Sequence, residues 1–248
     1  MSGDVHTELR GPALWVTFDR PQAHNAMTSA MYEALYARCE AVDADDDVRV
    51  MVLRGAGGKA FVAGTDIARF AAFESGEDGL RYEAEIDRIV GRLEAVARPT
   101  VALVDGFAMG SGLALSAACD LRICTPAARF GLPIARTVGN CLSMANYARL
   151  AALLGEARLK DIVLTARSIR ADEALAIGLA TEVVDDAEAR TTELCQTLAA
   201  HAPQTIRITK EALRRLRAAG LPDGDDLVRE AYASQDFRDR VAAFLAKS

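Results

Sequence analysis

The chain has 248 residues, 51% of them apolar, which is enough for one substantial core. A net charge of −6 and a pI near 5.2 argue against a nucleic-acid-binding surface. The opening MSGDVHTELRG lacks the apolar core of a signal peptide, and no uncharged apolar run reaches the roughly 18 residues of a membrane span, so neither is expected.

In chain order, Ala13-Leu-Trp-Val-Thr-Phe18 reads as a strand ending in a turn at Asp19-Arg-Pro21. A helical pattern runs from Thr28 to about Val42, with Thr28 or Ser29 as its cap. Asp43-Ala-Asp-Asp-Asp47 reads as a solvated turn. Val48-Arg-Val-Met-Val-Leu53 is almost continuously apolar, the signature of a strand covered on both faces. Gly55 to Gly58 close it, and Phe61 to Ile67 lead into a helix. Residues 79–97 predict a long amphipathic helix stopped by Arg98-Pro99. Thr100 to Val104 is a second buried strand, followed by a turn with Gly106, Gly110 and Gly112 and a helix from about Gly110. Leu121 to Cys124 is a further short strand, and a helix runs from Met144 to Leu154.

This alternation predicts an α/β fold with parallel pairing. After about Asp186 the pattern turns helical, with stretches at 186–201, 204–218 and 223–246 punctuated by Gly220-Leu-Pro-Asp-Gly224. Their apolar stripes must pack on the chain's own core or on another subunit. Cys39, Cys119, Cys124, Cys141 and Cys195 are odd in number and lack CxxC spacing. They read as reduced, mostly buried thiols of a cytoplasmic protein, with no disulfide framework or zinc site.

Two places share one layout: a strand, a tight glycine turn and a helix start. They are Ala63-Gly-Thr-Asp66 and Met109-Gly-Ser-Gly112. The first N–H groups of a helix have no partner within it and point at whatever lies in front. Glycine lets a backbone approach a ligand closely. Two such groups converging on one oxygen would form an oxyanion hole, in which each donor is worth about 10²–10³ in rate. Glycine turns also occur as plain connectors, and the layout alone does not decide between the two.

The chain resembles the crotonase, or enoyl-CoA hydratase/isomerase, superfamily. The residues that carry the likeness are Arg20-Pro-Gln-Ala-His-Asn-Ala-Met27, Phe61-Val-Ala-Gly-Thr-Asp-Ile67, Arg98-Pro-Thr-Val-Ala102, the turn at 106–112, Ala128-Arg-Phe-Gly-Leu-Pro133 and Asp172-Glu-Ala-Leu-Ala-Ile-Gly-Leu-Ala180. Ser234-Gln-Asp-Phe237 and Ala243-Phe-Leu-Ala-Lys247 complete it, in order along nearly the whole chain. The resemblance implies a spiral core of ββα turns over 1–187 and a helical region over 188–248, used to form a trimer or a hexamer as a dimer of trimers. It implies acyl-CoA substrates and a thioester enolate held by two backbone N–H groups, here those of Thr65 and Ser111. Ser111 stands where the family usually has glycine.

The resemblance also places coenzyme A, as part of the substrate and not as a cofactor, along Gln22, His24, Ala63, Gly64, Asp66, Ile67 and Gly110. Phe244 and Lys247 match C-terminal residues that reach the CoA of their own or a neighbouring subunit. His24 reads as a wall residue and Asp66 as part of the turn. No metal or redox cofactor is implied, and neither nucleic acid nor membrane is expected as a partner.

Hydratases of the family move protons with two glutamates on a bound water. Those positions are here Ala114 and Ile134, which cannot transfer a proton. The next segment, Ala135-Arg-Thr-Val-Gly-Asn-Cys-Leu-Ser143, also departs from the family. Arg136 is a candidate to bind a substrate carboxylate. Asn140 is a candidate pocket residue or a helix cap, and Cys141 a nucleophile or, more simply, a buried thiol. Three readings stay open: enolate chemistry without the two-glutamate mechanism, with decarboxylation of a malonyl-type thioester as a specific case; a hydratase or isomerase with another acid/base group; and an acyl-CoA-binding protein without turnover.

Overall fold

The computed structural model describes residues 3–220 and 224–246. The first half lays down β1 (Asp4–Arg10), β2 (Ala13–Asp19), α1 (Ser29–Ala44), β3 (Val50–Gly55), β4 (Ala60–Val62) and α2 (Gly76–Glu94), with a short 3-10 helix at Ile67–Ala72. Next come β5 (Thr100–Val104), β6 (Phe107–Met109), α3 (Ser111–Ala118), β7 (Leu121–Cys124), β8 (Arg129–Gly131), α4 (Ile134–Thr137), α5 (Met144–Leu154) and α6 (Glu156–Leu164). The remainder is β9 (Ser168–Arg170), α7 (Ala171–Ala176), β10 (Glu182–Val183), α8 (Ala187–Ala200), α9 (Pro203–Ala218), α10 (Asp225–Ala233) and α11 (Gln235–Leu245).

Two sheets result. The larger has the order β1-β2-β3-β5-β7-β10 and the smaller β4-β6-β8-β9. Pairing is parallel except between β1 and β2 and between β8 and β9. Each turn of the chain sends one strand into the larger sheet and the next into the smaller, then adds a helix: β3, β4, α2, followed by β5, β6, α3. This is the expected α/β spiral of ββα turns. The second sheet was invisible in the sequence because β4, β6 and β8 have three residues each, too few to show a period.

The apolar run at 48–53 behaves as predicted. Val50 and Val52 join Trp15, Val101, Leu103 and Ile123 on the outer face, closed by Ala187 and Cys195 of α8. Met51 and Leu53 join the main core between the two sheets and the helices. Thr28 is the cap of α1, accepting from the Met31 N–H at 3.3 Å. The acidic stretch after α1 is not simply a solvated turn. Asp43 is the last-turn anchor of α1, paired with Arg92 at 2.5 Å and accepting from the Ala97 N–H at 2.8 Å. The helix predicted over 79–97 begins three residues earlier, because the Asp78 carboxylate accepts from the Ser75 N–H at 2.9 Å and closes its first turn.

The last helical stretch is two helices, divided where the Ser234 hydroxyl accepts from the Phe237 N–H and starts α11. Both pack on the chain's own body. Tyr232 and Phe237 form an aromatic cluster with Phe70, Phe73 and Tyr82. By contrast α9 buries none of its residues, and Ile208, Leu213 and Leu216 are exposed.

Asn25 fixes the loop before α1. It is fully buried in the left-handed region at φ 59°. Its Oδ1 accepts from the Arg20 N–H at 2.9 Å, and its Nδ2 donates to the carbonyls of Ala56 (3.0 Å) and Ala60 (2.8 Å). Asn25→Ala removes these bonds, strands buried backbone groups and puts a less tolerant residue at positive φ. We expect a loss of about 2–4 kcal/mol in urea unfolding.

Candidate active site

The two glycine turns meet. Gly110 has φ 55° and ψ −117°, a conformation closed to other residues, and a Cβ there would lie 3.6 Å from the Gly64 Cα. Each turn is anchored from behind. The Met27 N–H donates to the Gly64 carbonyl at 2.8 Å, and the Asp66 N–H donates to the Met27 carbonyl at 2.9 Å. The Gly110 N–H donates to the Gly131 carbonyl at 2.9 Å. These bonds leave the N–H groups of Thr65 and Ser111 with no acceptor among the described residues, and both residues line one cavity at the head of α3. Gly112 lets α3 approach this closely, since a Cβ there would sit 2.0 Å from the Val62 carbonyl oxygen.

The Thr65 side chain is locked from the other side. Its hydroxyl bonds the Tyr32 phenol at 2.8 Å and the Tyr82 phenol at 2.7 Å. Burial pushes Tyr32 up to about 12 and Tyr82 well above its ordinary value, so both stay protonated. They act as fixed hydrogen-bonding groups that set the direction of the Thr65 backbone.

In front of these turns is a cavity of about 170 Å³. Of the residues predicted from sequence, it is lined by Ala63, Gly64, Thr65, Ile67, Gly110, Ser111, Ala114, Ile134, Asn140 and Phe244. Ala114 and Ile134 are both buried, so the two glutamate positions are apolar wall. The Asn140 Oδ1 is buried without a hydrogen-bond partner, the buried Ser111 Oγ has at most a long contact with the Tyr32 phenol, and both belong to residues of this wall. A larger groove of about 560 Å³ between α9 and the α3–β7 region holds none of the predicted residues.

Other predicted residues lie elsewhere. Gln22 and His24 are exposed outside the cavity, His24 with its ring 6.4 Å from that of Phe107. Asp66 is structural: it pairs with Arg20 at 2.9 Å and accepts from the Ala68 N–H. Arg136 is on the exposed face of α4 and outside the cavity wall, because the four-residue helix turns Ile134 inward and Arg136 outward. Asn140 is not a helix cap. Ser143 caps α5 by accepting from the Asn146 N–H, while the Asn140 Nδ2 donates to the Tyr232 hydroxyl at 2.9 Å. Cys141 is no activated nucleophile, since burial pushes its thiol up to about 12. Lys247 lies outside the described residues.

Sequence reasoning missed Glu83. It belongs to the cavity wall and is 4% exposed, in the middle of α2. Its Oε1 accepts from the Tyr232 hydroxyl at 2.6 Å and its Oε2 from the Ser143 N–H at 3.0 Å. Burial raises it to about 7, against the lowering effect of those two bonds. One helical turn on, Asp87 accepts from the Ser143 hydroxyl at 2.6 Å and from Asn146 at 3.0 Å, and burial raises it too. The only sequence signal was a Glu with apolar neighbours at helical spacing, Leu80, Ile86 and Val90.

Glu83 makes stability depend on pH in an unusual direction for a carboxyl. An unfolded chain releases this proton near 4.5, the folded one near 7. Between those values the folded state binds more protons, so its contribution is full below 4.5 and fades as pH rises through 7. Glu83→Gln should therefore gain stability relative to the native chain between pH 4.5 and 8, by on the order of 2 kcal/mol in chemical denaturation.

Residues 11–246 match the enoyl-CoA hydratase/isomerase family. The short-chain-enoyl-CoA hydratase of Clostridium acetobutylicum is 32% identical over 250 residues, covering 98% of this chain and 95% of that protein. The crotonyl-CoA hydratase of Syntrophomonas wolfei is 30% identical, covering 92% of this chain and 90% of its own. Among solved structures, an enoyl-CoA hydratase/carnithine racemase from Magnetospirillum magneticum superposes with a TM-score of 0.82 at 30% identity, over 98% of this chain and 92% of that one. A methylmalonyl-CoA decarboxylase superposes with a TM-score of 0.89 at 24% identity, over 98% and 95%, a likeness of fold. With the touching glycine turns and the spiral of ββα turns already in place, this chain belongs to the enoyl-CoA hydratase/isomerase family.

Proposed function

We propose that this acyl-CoA-binding enzyme works through a thioester enolate, its carbonyl oxygen held by the N–H groups of Thr65 and Ser111. The observation that carries this reading is the contact of the two glycine turns, which leaves two unpaired donors together at the wall of a mostly apolar cavity. Fixed donors in a dry site stabilise charge as it develops and need no reorganisation. The unpartnered Asn140 oxygen favours a cavity built for a ligand over a packing defect.

The reaction we propose is proton transfer at the carbon next to the thioester. Relatives are named as hydratases, but Ala114 and Ile134 remove the pair of carboxyls that would position and split water. Decarboxylation is less well supported, since the exposed Arg136 cannot orient a departing carboxylate inside the cavity. Exposed Gln22 and His24 are proposed to flank the nucleotide end of CoA. The unburied apolar stripe of α9 is proposed as the face that joins copies into a trimer or a dimer of trimers. Four of the five unpaired cysteines are buried, which suits a cytoplasmic, reducing setting, and among the described residues no helix is long and apolar enough to cross a membrane.

Two measurements test this. Crotonyl-CoA hydration by the purified protein should run at least about a thousandfold below that of a two-glutamate relative, as expected when both proton-moving groups are absent. Brisk hydration would overturn the loss of water chemistry. Ser111→Pro deletes one N–H at the first helical position, which tolerates proline. It should lower the rate of α-hydrogen exchange on butyryl-CoA by about 10²–10³ with little change in binding. An unchanged rate would remove Ser111 from the oxyanion site.

A further inference from the structure

We propose that Glu83 is the catalytic residue that takes and returns the α-proton of the acyl group, and that Tyr232 is its positioning residue. This rests on the enolate reading above and names the group which that reading lacks.

The argument is geometric. Glu83 is the only carboxylate side chain on the acyl cavity wall among the described residues. It shares that wall with Thr65 and Ser111, the two residues whose N–H groups would hold the enolate oxygen. Each carboxylate oxygen accepts one donor from the protein, Tyr232 on one side and Ser143 on the other. A carboxylate has about four lone-pair sites, so capacity remains for a proton from substrate. The chain Asn140 to Tyr232 to Glu83 fixes the carboxyl orientation, and the Asn140 Oδ1 is left unpartnered at the same wall.

A proton carrier must also reach solvent. Glu83 also borders a second cavity, whose wall includes Arg81, Asp87, Ser143, Met144, Asp225 and Val228. Proton exchange with water can run through that side while the acyl group occupies the other. The titratable groups around Glu83 are Tyr82 and Asp87 on its own helix, Tyr32 of α1, Cys141 and Tyr147 near the start of α5, and Tyr232 of α10. Arg81 and Asp225 border the second cavity with it, and Arg81 pairs with Asp78. Among the described residues no cation bonds the Glu83 carboxylate. Apolar burial therefore dominates and brings the group near neutrality, where a base is both ionised and able to hold a proton.

The step balances within the site. The Glu83 carboxylate takes H⁺ from the α-carbon, and the C–H pair becomes the carbon–carbon double bond of the enolate. The carbonyl π pair moves onto the oxygen facing the two N–H groups. Return of the proton to carbon restores the thioester and the carboxylate. No oxidant, metal or second substrate is needed.

The test is α-hydrogen exchange of butyryl-CoA in D₂O, followed by mass spectrometry across pH, with binding measured by calorimetry. Glu83→Gln should lower exchange about a hundredfold or more while the Kd stays within about threefold, and should abolish the rise of rate with pH through neutrality. Tyr232→Phe deletes a hydrogen bond that favours the carboxylate, so the rise should move to higher pH. Exchange by Glu83→Gln at the native rate with the same pH rise overturns the role of Glu83 alone. So does a parallel loss of binding and rate in Glu83→Gln. If Glu83→Gln does not fold, the pH rise of Tyr232→Phe decides, and an unmoved midpoint overturns the assignment. A native protein that binds butyryl-CoA without exchange overturns the enolate reading itself.

Discussion

The site depends on one close approach, that of the Gly64 and Gly110 backbones. It occurs because both glycines take a positive φ, 119° and 55°, that other residues rarely adopt, and because each turn is tied from behind by sheet-type hydrogen bonds. Those bonds satisfy the flanking groups and leave the Thr65 and Ser111 N–H groups without an acceptor among the described residues. The spiral makes the meeting possible. Each ββα turn carries its second strand into the smaller sheet, so the ends of β4 and β6 are neighbours although they lie more than forty residues apart in sequence. The two phenols that bond the Thr65 hydroxyl then restrain the residue behind that strand end.

The second constraint is the docking of α10 and α11. Tyr232 belongs at once to the aromatic cluster and to the polar chain through Asn140 and Glu83. Burying a carboxyl without a counter-charge is costly unless its lone pairs are met, and Tyr232 supplies one of the two bonds that meet them. The same docking puts Phe244 on the cavity wall. Packing of the C-terminal helices and the burial of Glu83 are thus one event. A loosened α10 would let water reach the carboxyl and return it toward ordinary acidity.

Much of this was legible in the sequence for a physical reason. Continuous apolar runs mark strands covered on both faces, and glycine marks turns that other residues cannot make, so β2, β3, β5 and β7 and the places of the two glycine turns could be read directly, while the polar edge strand β1 and the two-residue β10 could not. The apolar replacements at Ala114 and Ile134 were equally plain. The second sheet was not, because three-residue strands such as Arg129–Gly131 carry no periodicity. Arg136 and Asn140 could not be aimed without knowing that Ile134–Thr137 closes into a single helical turn, in which residues two apart such as Ile134 and Arg136 face nearly opposite ways.

Glu83 was hidden for a different reason. In the run Glu83-Ala-Glu-Ile-Asp-Arg88 it is one acidic residue among several, and nothing in the sequence separates it or Asp87 from the exposed charges of the same helix. What separates it is the covering of that stripe by residues 143 to 146 and by α10, whose Tyr232 is 149 positions away. Helical periodicity reports that a stripe exists, and only the tertiary fold says what covers each position on it. Ser143 shows the mechanism: its N–H serves Glu83 and its hydroxyl serves Asp87, so the start of α5 is matched to two carboxyls one turn apart on α2. A helix start with a free N–H and a short hydroxyl is suited to holding buried acids, and that pairing turns an ordinary amphipathic helix into a wall of the site.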